Sequence, residues 1–499
     1  MPQRTYLGID CGTQGTKALL VGEDGAVLGR GYAPHALVER ADGTREQDPS
    51  WWVEALSAAV RAACGQAPDA ARTIVAAGVS GQQHGLVVLD EAMHVIRPAK
   101  LWNDTSTAAQ NAMLVDHFGG PAEWIARFGI VPLTGYTVSK LLWLMQNEPA
   151  NFARIRHILL PHEYLNWWLT GELCAEPGDA SGTGYFDNRS RRWIPEVLAA
   201  IDGGTGQLAA ALPRLLPADA VVGTLRLAAA QQLGLPPACL VSAGGGDNMM
   251  GAIGTANVRE GVVTLSLGTS STVYSFAGKP SADASGAVAP FCSSSGGWLP
   301  LVCTMNATNV VTATVELLGR TVAAIDPALE STAPGADGLV LLPFLNGERT
   351  PDMPNARGTL TGLSSSNLTP EHLIRAAVEG VSFGILNGLD LILAGSTAAV
   401  LQAIGGGARS RGWRQLLADA TGVPVQVPAE EEAGCLGAAI QARVAFSTAQ
   451  GEPLSFADAA AEFARIDVSA TVHPRPDRKA AYDAARRAYR EALRLVHPV

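Results

Sequence analysis

The strongest constraint on the fold is a strand–turn–strand pattern that occurs twice in the chain. Residues 9–17, IDCGTQGTK, and residues 265–273, LSLGTSSTV, both place a Gly-Thr turn between two strand-like runs. GVSGQQHG at 78–85 is loosely matched by AIGGGARS at 403–410. This weak internal repeat predicts two similar α/β domains that face a shared cleft. The alternative is chance recurrence of Gly-Thr turns in a chain with 54 glycines.

Composition points to a large protein and excludes several kinds of partner. The chain has 499 residues, too many for one ordinary domain, and 47% of them are hydrophobic. A net charge of −10 argues against nucleic acid as the main partner, because phosphate-backbone binding needs basic patches. Seven scattered cysteines without a C-x-x-C pair favour a reducing compartment. The chain shows no signal pattern and no apolar run of membrane-spanning length, so we expect a cytoplasmic protein without a membrane partner.

Apolar periodicity predicts two amphipathic helices near the chain ends. The first follows Asp48, a suitable N-cap residue, and Pro49, a favoured first helical residue. Its predicted apolar face consists of Trp52, Ala55, Leu56, Ala59, Val60 and Ala63. The second helix lies at the C-terminus, and its stripe favours packing on the body of the protein over a membrane. That stripe consists of Tyr482, Ala485, Tyr489, Leu493 and Val496.

The two Gly-Thr turns are candidate phosphate-binding loops. Backbone N–H groups of such a loop can bind phosphate oxygens, and Thr13 and Lys17 add a hydroxyl donor and a positive charge. Asp10, at the end of the preceding strand, can hold Mg²⁺ directly or through water. The loop is neither a Walker loop nor a G-x-G-x-x-G loop, and a simple turn with a surface lysine is the alternative. A second turn at Gly268 and Thr269 would clamp a polyphosphate from the other side.

Two further glycine runs precede chemically useful residues. Asp247 follows Gly244–Gly246, so a ligand can approach its carboxylate closely, and it suits a base that accepts a proton from a sugar hydroxyl. The alternative is a structural bend with an aspartate that caps the next helix. The glycines 405–407 would let a flat adenine or ribose lie on bare backbone, or they form a tight strand-to-helix turn. A helix is predicted to begin after Glu432, and its many small residues predict that it packs closely against a neighbouring helix.

His84, in VSGQQHGLVV, has three interpretations on these residues alone. It can be a catalytic base, a substrate contact or a turn histidine. Gly81 and Gly85 flank it and would let the strand end bend so that the imidazole reaches a cleft.

In this order the motifs GIDCGTQGTK, SGQQHG, LWND, GGGDN, LSLGTSS, FLNGERTP and IGGGARS resemble the FGGY carbohydrate kinases, over residues 5–490. The resemblance implies an α/β fold of two ribonuclease-H-like domains, of the actin/Hsp70-like ATPase type, facing a central cleft. It assigns the sugar site and first phosphate hairpin to residues 1–244. It assigns the catalytic aspartate, second phosphate hairpin and adenosine turn to residues 245–499.

The resemblance also implies an activity, ATP-dependent phosphorylation of D-xylulose to D-xylulose 5-phosphate. The combination of GQQHG, LWND and GGGDN is most similar to members that act on this sugar, and the Arg-Glu pair that glycerol kinases carry in the region matching Gln83-His84 is absent there. A sister kinase for another ketose or polyol, such as ribulose, is the first alternative. An actin-like ATPase that serves as a scaffold, chaperone or sensor is the second.

Site roles are carried over by position in the matching motifs. Asp247 corresponds to the catalytic base, and Asp10 to the acid near the magnesium and phosphates. The implied nucleotide-binding residues are Thr13, Lys17, Gly268, Thr269, Gly406, Gly407 and Arg411. The implied sugar contacts are Gln83, His84, Asp104, Asp247 and Asn248. Many relatives have methionine in place of Gln83. The implied cofactors are ATP and Mg²⁺; relatives are often dimers, but no stretch of this sequence identifies an interface.

Overall fold

Two mixed β-sheets form the centre of the molecule, of which the computed structural model describes residues 4–281 and 283–497. In sheet order, the first consists of Val221–Thr224, Leu240–Ser242, Ile74–Gly81, Thr5–Cys11, Gly15–Gly22 and Val27–Pro34, with Gly245–Gly246 also paired to Ile74–Gly81. The second consists of Val425–Gln426, Val400–Ile404, Val262–Leu267, Ser271–Ser275, Trp298–Thr304 and Ala289–Cys292.

The pairing of the strands confirms the predicted repeat and the two-domain α/β class. Thr5–Cys11 pairs antiparallel with Gly15–Gly22 and parallel with Ile74–Gly81. In the same way Val262–Leu267 pairs antiparallel with Ser271–Ser275 and parallel with Val400–Ile404. Because parallel strands end at the same edge of a sheet, each Gly-Thr turn lies beside the loop that follows the neighbouring strand. The first Gly-Thr turn therefore lies beside the GQQHG loop, and the second lies beside the glycine run 405–407.

The helix predicted after Asp48 spans Pro49–Gln66, and its first turn is capped as expected. The Asp48 carboxylate accepts a hydrogen bond from the Ser50 N–H at 2.9 Å. All six predicted face residues are buried against the first sheet. The other helices up to residue 233 are Pro68–Ala71, Ala108–His117, Pro121–Phe128, Thr137–Asn147, Pro149–Phe152, Pro161–Thr170, Pro177–Ala180, Pro195–Asp202, Gln207–Ala210 and Leu227–Leu233.

Short strands complete the first half of the chain and support its loops. They pair as Val38–Glu39 with Arg45–Gln47 and with Ala99–Lys100 beyond it, Val87–Leu89 with His157–Leu159, Cys174–Ala175 with Arg214–Leu215, and Phe186–Asp187 with Arg192–Trp193. In the second half, Val340–Leu342 pairs with Thr359–Thr361.

Most helices of the second half pack on the second sheet, and the C-terminal one is as predicted. Helix Pro476–Val496 buries Tyr482, Ala485 and Tyr489, and the other two residues of its stripe pack at the edge of the same core. The remaining α-helices are Thr308–Leu317, Ile325–Ser331, Pro370–Leu393, Arg411–Thr421 and Phe456–Phe463, and the 3₁₀ turns are Val322–Ala324, Ala336–Gly338, Gly406–Arg409 and Val468–Ala470.

Helix Pro370–Leu393 is long and apolar enough to cross a bilayer, with a mean hydropathy of 1.5 in its most apolar window. The expectation that no apolar run reaches membrane-spanning length was therefore wrong for this segment. Two-thirds of that window, 67%, is buried within the protein, where the helix packs beneath the second sheet.

Two helices of the second half reach the first sheet: Ala433–Ala449 along its length, and Phe456–Phe463 through Phe463, whose ring lies beside Tyr6. Ala433–Ala449 comes from the second half but packs on the first sheet and on helix Asp247–Gly254. Glycines allow the close approach, as predicted: a Cβ at Gly437 would lie 1.8 Å from the Met250 carbonyl oxygen, and one at Gly8 would lie 1.8 Å from that of Cys435.

The packing between the two halves concerns the predicted domain boundary between residues 244 and 245. Strand Gly245–Gly246 lies after that division, yet it pairs with Ile74–Gly81 of the first sheet. The division stays a prediction, since both halves of the chain contribute to the packing around it.

Candidate active site

A cavity of about 1090 Å³ contains most of the predicted sugar contacts. Its walls come from both halves of the chain, so it lies where the two sheets face each other. The side chains that line it include Gln83, His84, Trp102, Tyr136, Asp247, Asn248, Phe291 and Arg349.

Asp10 lies beside the first Gly-Thr turn with one strong hydrogen bond. The Ser80 hydroxyl donates to Asp10 Oδ1 at 2.6 Å across the parallel strand pair. On the other side, a Cβ at Gly434 would lie about 3 Å from the carboxylate (2.9–3.1 Å), so this glycine leaves room for it. Burial raises the pKa of Asp10, which the Ser80 hydrogen bond and the charge of Lys17 oppose.

These surroundings fit a magnesium ion that is held mainly by phosphates. Over residues 4–281 and 283–497, no group of three or more His, Cys, Asp or Glu is arranged to hold a metal. Mg²⁺ is usually bound through one or two carboxylates together with substrate phosphates and water. Asp10, a single buried carboxylate at a candidate phosphate loop, matches that donor set.

The other two predicted residues of the first turn have partners within the protein. Lys17 Nζ lies 2.6 Å from Glu432 Oε2, immediately before helix Ala433–Ala449. The Thr13 hydroxyl donates to Gln82 Oε1 at 3.2 Å and accepts from Trp102 Nε1 at 2.9 Å. Thr13 therefore links the first turn to the tryptophan that lines the cavity.

Asp247 is the first residue of helix Asp247–Gly254, and Gly246 is the N-cap. Its Oδ1 accepts from the Asn248 N–H at 2.8 Å and from Asn248 Nδ2 at 3.1 Å. Its Oδ2 accepts no hydrogen bond from any described residue, and the side chain lines the cavity. Burial, with the negative charges of Asp10 and Asp179, raises the pKa of Asp247 to about 7. A carboxylate of this pKa can both accept and release a proton near neutrality.

The glycines before Asp247 have a function that the sequence did not reveal. We predicted that they leave space for a ligand, but buried polar side chains of the protein occupy the space beside them. A Cβ at Gly244 would lie 2.9 Å from His162 Cδ2, one at Gly245 2.6 Å from the Ser294 hydroxyl, and one at Gly246 3.0 Å from Asp179 Oδ1.

A buried ionisable cluster lies behind these glycines. His162 Nδ1 is 2.6 Å from Asp179 Oδ2, and both side chains are fully buried. Burial alone would lower the pKa of His162, but the hydrogen bond and charge of Asp179 raise it. Burial raises the pKa of Glu163 to about 8 and also raises that of Glu176.

His84 lines the cavity and is fixed by its backbone and by an aromatic stack. The bend lies at His84 itself, whose φ is +64°, and not at the flanking glycines, which make room for His162 and Pro161. Its ring stacks on Tyr136 with centroids 4.7 Å apart.

A buried lysine holds the backbone of His84 in place. Lys140 Nζ donates to the His84 carbonyl and, at 2.7 Å, to that of Gly135. Burial lowers the pKa of Lys140 to about 7. Burial, Lys140 and Arg349 together lower the pKa of His84 well below its usual value, so the imidazole is neutral at physiological pH.

Gln83 and Asn248 form one hydrogen-bonded wall of the cavity. Asn248 Nδ2 donates to Gln83 Oε1 at 2.9 Å, and Gln83 Nε2 contacts Met249 Sδ at 3.4 Å. The Thr272 hydroxyl donates to Asn248 Oδ1 at 3.2 Å. Because Thr272 follows the second Gly-Thr turn, this wall connects the sugar contacts to that turn.

Asp104, a predicted sugar contact, lies outside the cavity lining. Its carboxylate is fully buried, and both of its oxygens are used. Oδ2 accepts from the Arg45 N–H at 2.9 Å and from Lys100 Nζ at 3.1 Å, and Oδ1 accepts from the Ser106 hydroxyl at 2.6 Å. In this structure Asp104 fixes the loop that carries Trp102, and it has no oxygen directed at the cavity.

The second Gly-Thr turn and the glycine run at 405–407 lie together, at the ends of adjacent parallel strands. The Gly268 carbonyl accepts from the Thr308 hydroxyl at 2.7 Å, which fixes the turn. A Cβ at Gly407 would lie 2.9 Å from Leu267 Cβ, whereas one at Gly406 would meet no atom within 4 Å. Bare backbone at Gly406 therefore faces open space, and Arg411 is exposed at the start of the next helix.

Four of the lining residues named above were not predicted from the sequence: Trp102, Tyr136, Phe291 and Arg349. Trp102 lies in LWND and Arg349 in FLNGERTP, both of which were recognised as motifs without assigning these residues a role. Tyr136 lies in a stretch without a recognisable motif. A local signal for Tyr136 is absent because its stacking on His84 arises from tertiary structure.

Comparisons with known proteins agree with the geometry. The N-terminal domain of the FGGY family of carbohydrate kinases matches residues 5–254, and the C-terminal domain matches residues 263–446. A xylulose kinase of Haemophilus influenzae is 46% identical over 443 residues, which cover 88% of this chain and 90% of that protein. A xylulose kinase of Streptomyces coelicolor is 42% identical over 444 residues, 87% of either chain.

Solved structures show the same architecture. The crystal structure of xylulose kinase from Bifidobacterium adolescentis has a TM-score of 0.83 and 32% identity, covering 98% of this chain and 99% of that one. Plasmodium falciparum glycerol kinase with ADP shares the fold, with a TM-score of 0.87 at 18% identity over 100% of this chain and 99% of that one. Sequence match, fold and cavity agree: the chain belongs to the FGGY family of carbohydrate kinases.

Proposed function

We propose that this protein transfers the γ-phosphoryl group of Mg-ATP to the terminal hydroxyl of D-xylulose. The observation that carries the proposal is Asp247, a buried carboxylate with one free oxygen and a pKa near 7, in a cavity lined by His84, Gln83 and Asn248. The relatives named xylulose kinase, at up to 46% identity, support D-xylulose as the sugar.

In the proposed reaction, the terminal hydroxyl oxygen of the sugar forms a bond to the γ-phosphorus as the bond between that phosphorus and the β,γ-bridging oxygen breaks. The hydroxyl proton passes to Asp247 Oδ2, and ADP leaves with the bridging oxygen. Because phosphoryl transfer has a loose transition state, the protein mainly positions groups and stabilises charge. Asn248 holds Oδ1, which directs Oδ2 to the substrate.

Nucleotide binding is proposed for the two turns that face each other across the cleft. Thr13 and Lys17 would contact the phosphates from one side, and Gly268 and Thr269 from the other. Gly406 and Arg411 would bind adenosine, since bare backbone is accessible at Gly406, and the buried Gly407 would shape the same turn. Asp10 would hold magnesium, which neutralises phosphate charge when bound.

Sugar recognition is proposed for His84, Gln83 and Asn248. His84 is neutral and its Nδ1 is buried beside Gly182, so Nε2 is the ring nitrogen that can hydrogen-bond a sugar hydroxyl without adding charge to the site. Gln83 and Asn248 are already hydrogen-bonded to each other, and Asn248 Nδ2 also donates to Asp247, so they would contribute the second Nε2 proton of Gln83 and the remaining lone pairs of Gln83 Oε1 and Asn248 Oδ1.

The test is ADP release measured with purified protein, Mg-ATP and a panel of sugars: D-xylulose, D-ribulose, L-ribulose, L-xylulose and glycerol. We expect the highest kcat/KM for D-xylulose. Comparable rates on several ketoses would indicate a sister kinase, and no rate on D-xylulose would refute the substrate assignment. ATP turnover that no sugar accelerates would favour the actin-like ATPase.

A further inference from the structure

Arg349 is a cation that faces the sugar cavity without an acidic partner. Its side chain lines the cavity with His84, Tyr136 and Asp247. In the part of the chain that the structure describes, no carboxylate lies within salt-bridge distance of its guanidinium. The other lining arginine, Arg490, differs in this respect, because it is paired with Asp390 at 2.7 Å.

A rigid turn presents Arg349 to the cavity. The neighbouring Glu348 is buried, and its Oε1 accepts from the backbone N–H groups of Met305 at 2.6 Å and Arg349 at 2.8 Å. Its Oε2 accepts from Asn306 Nδ2 at 3.0 Å. The carboxylate next to Arg349 in sequence therefore fixes the backbone of the turn and does not pair with the guanidinium, whose side-chain partner is the neutral thiol of Cys303.

The position of Arg349 is on the side of the cavity formed by His84 and Tyr136. The charge of Arg349 contributes to the low pKa of His84, after burial and Lys140. Lys140 itself is committed to two backbone carbonyls beneath His84 and does not line the cavity. Among described lining residues, Arg349 is thus the cation available to a ligand.

We propose that Arg349 is a specificity residue, which donates two hydrogen bonds to the carbonyl oxygen and the adjacent hydroxyl oxygen at the ketose end of the sugar. A guanidinium offers donors in a planar fork, which matches two neighbouring acceptors. The terminal hydroxyl must lie at Asp247, so the 1-hydroxy-2-keto end points away from the base. A carbonyl oxygen only accepts hydrogen bonds, so a cationic donor satisfies it. A hydroxyl at the same carbon also needs an acceptor for its own proton, which a guanidinium does not provide.

This inference rests on the proposed function in placing a sugar hydroxyl at Asp247, but it applies to any ketopentose. It predicts that the site discriminates ketoses from the corresponding pentitols, which carry a hydroxyl in place of the carbonyl. A site built around a polar group rejects an analogue that leaves this group poorly paired.

The experiment compares the wild type with Arg349→Met, Arg349→Lys and a control, Arg320→Met, whose arginine lies outside the cavity in an exposed pair with Glu371. The four ketopentoses, xylitol and D-arabitol are assayed for kcat/KM, and their binding is measured by calorimetry without ATP. Circular dichroism and thermal unfolding report the folding of each variant.

We expect Arg349→Met to lower kcat/KM for the preferred ketose by about 10- to 100-fold, mainly through KM, as for loss of hydrogen bonds to a charged group. The kcat/KM for pentitols should fall far less, so the ratio of kcat/KM for the ketose to that for the pentitol should decrease strongly. Arg349→Lys, which keeps the charge but not the fork, should fall between, and Arg320→Met should match the wild type.

Equal losses for ketoses and pentitols, or a loss confined to kcat, would overturn the assignment. A wild type that does not prefer ketoses would overturn it as well. If Arg349→Met does not fold, an unchanged ketose-to-pentitol ratio of kcat/KM in Arg349→Lys would count against the assignment of Arg349. A wild type that prefers D-ribulose would refute only the D-xylulose assignment, because the ratio of D-ribulose to its pentitol still tests Arg349.

Discussion

His162 Nδ1 and Asp179 Oδ2 lie 2.6 Å apart in a fully buried pair behind the glycine that precedes Asp247. The negative charge of Asp179 is one of the causes of the raised pKa of Asp247, after burial and Asp10. Asp179→Asn removes this charge, so the pKa of Asp247 should fall. The acid limb of the pH profile of kcat/KM should therefore move to lower pH.

The same substitution should also destabilise the fold, because it removes one partner of a buried pair. We expect a loss of about 3–5 kcal/mol in the free energy of unfolding, measured with urea. Asp69→Asn is the control, since the Asp69 side chain is 98% exposed. An unchanged acid limb in a folded Asp179→Asn protein would remove Asp179 from any influence on Asp247.

The wild-type enzyme should itself show an acid limb that reports Asp247. Only the deprotonated carboxylate can accept the sugar proton, and burial raises its pKa to about 7. Activity should therefore be lost as pH falls through about 7. Asp247→Ala should abolish phosphorylation while ATP binding, measured by calorimetry, persists. Substantial activity in this variant would exclude Asp247 as the base.

His84→Ala should weaken sugar use without changing nucleotide affinity. It removes a neutral ring that lines the cavity and stacks on Tyr136, whereas the proposed adenosine turn is not part of that lining. We expect kcat/KM for the sugar to fall about tenfold, as for loss of one hydrogen bond and its packing. An effect confined to the KM of ATP would contradict this role.

The ion pair between Lys17 and Glu432 predicts opposite effects for its two members. If Lys17 binds phosphate, the pair must open, and Lys17→Ala should lower the affinity for ATP. Glu432→Gln frees Lys17 in advance and should raise that affinity. Since the pair is partly exposed, at 41% and 32%, the gain should be small, about two- to fivefold. Titration calorimetry with ATP in the absence of sugar measures both effects.

Two glycine-to-alanine substitutions should change stability in opposite directions. A Cβ at Gly437 would lie 1.8 Å from the Met250 carbonyl, so Gly437→Ala must separate two helices and should cost about 3 kcal/mol. Gly65, exposed in helix Pro49–Gln66, has no atom within 4 Å of its Cβ position, so Gly65→Ala should stabilise by about 0.5 kcal/mol. Urea unfolding of both variants gives the comparison, and equal effects would disprove the packing argument.

Local patterns were sufficient to predict the two sheets and their turns. The strand–turn–strand pattern depends on a few consecutive residues, and the apolar face of Pro49–Gln66 depends on helical periodicity, so both were visible in the sequence. The proximity of His84 to Asp247 in one cavity followed from the family resemblance and agrees with the structure.

Features that depend on distant residues could not be predicted. Asp104 looked free in LWND because one partner, the Arg45 N–H, lies 59 positions away, and the sequence does not show that the nearby Lys100 and Ser106 side chains turn toward it. Likewise Gly246 looked open because Asp179, which occupies the space beside it, comes from another segment. In both cases the sequence shows the polar group but not the tertiary contact that satisfies it.

Helix Ala433–Ala449 has a consequence for the order in which the protein matures. One face of the first sheet is covered by a segment that the ribosome makes only after more than four hundred residues have emerged. Until then Tyr6, Leu19 and Val21 lack their cover, and the nascent chain presents an apolar surface suited to chaperone binding. Native packing of the first domain is thus a late event in biosynthesis, and truncation before residue 433 should yield an aggregating product.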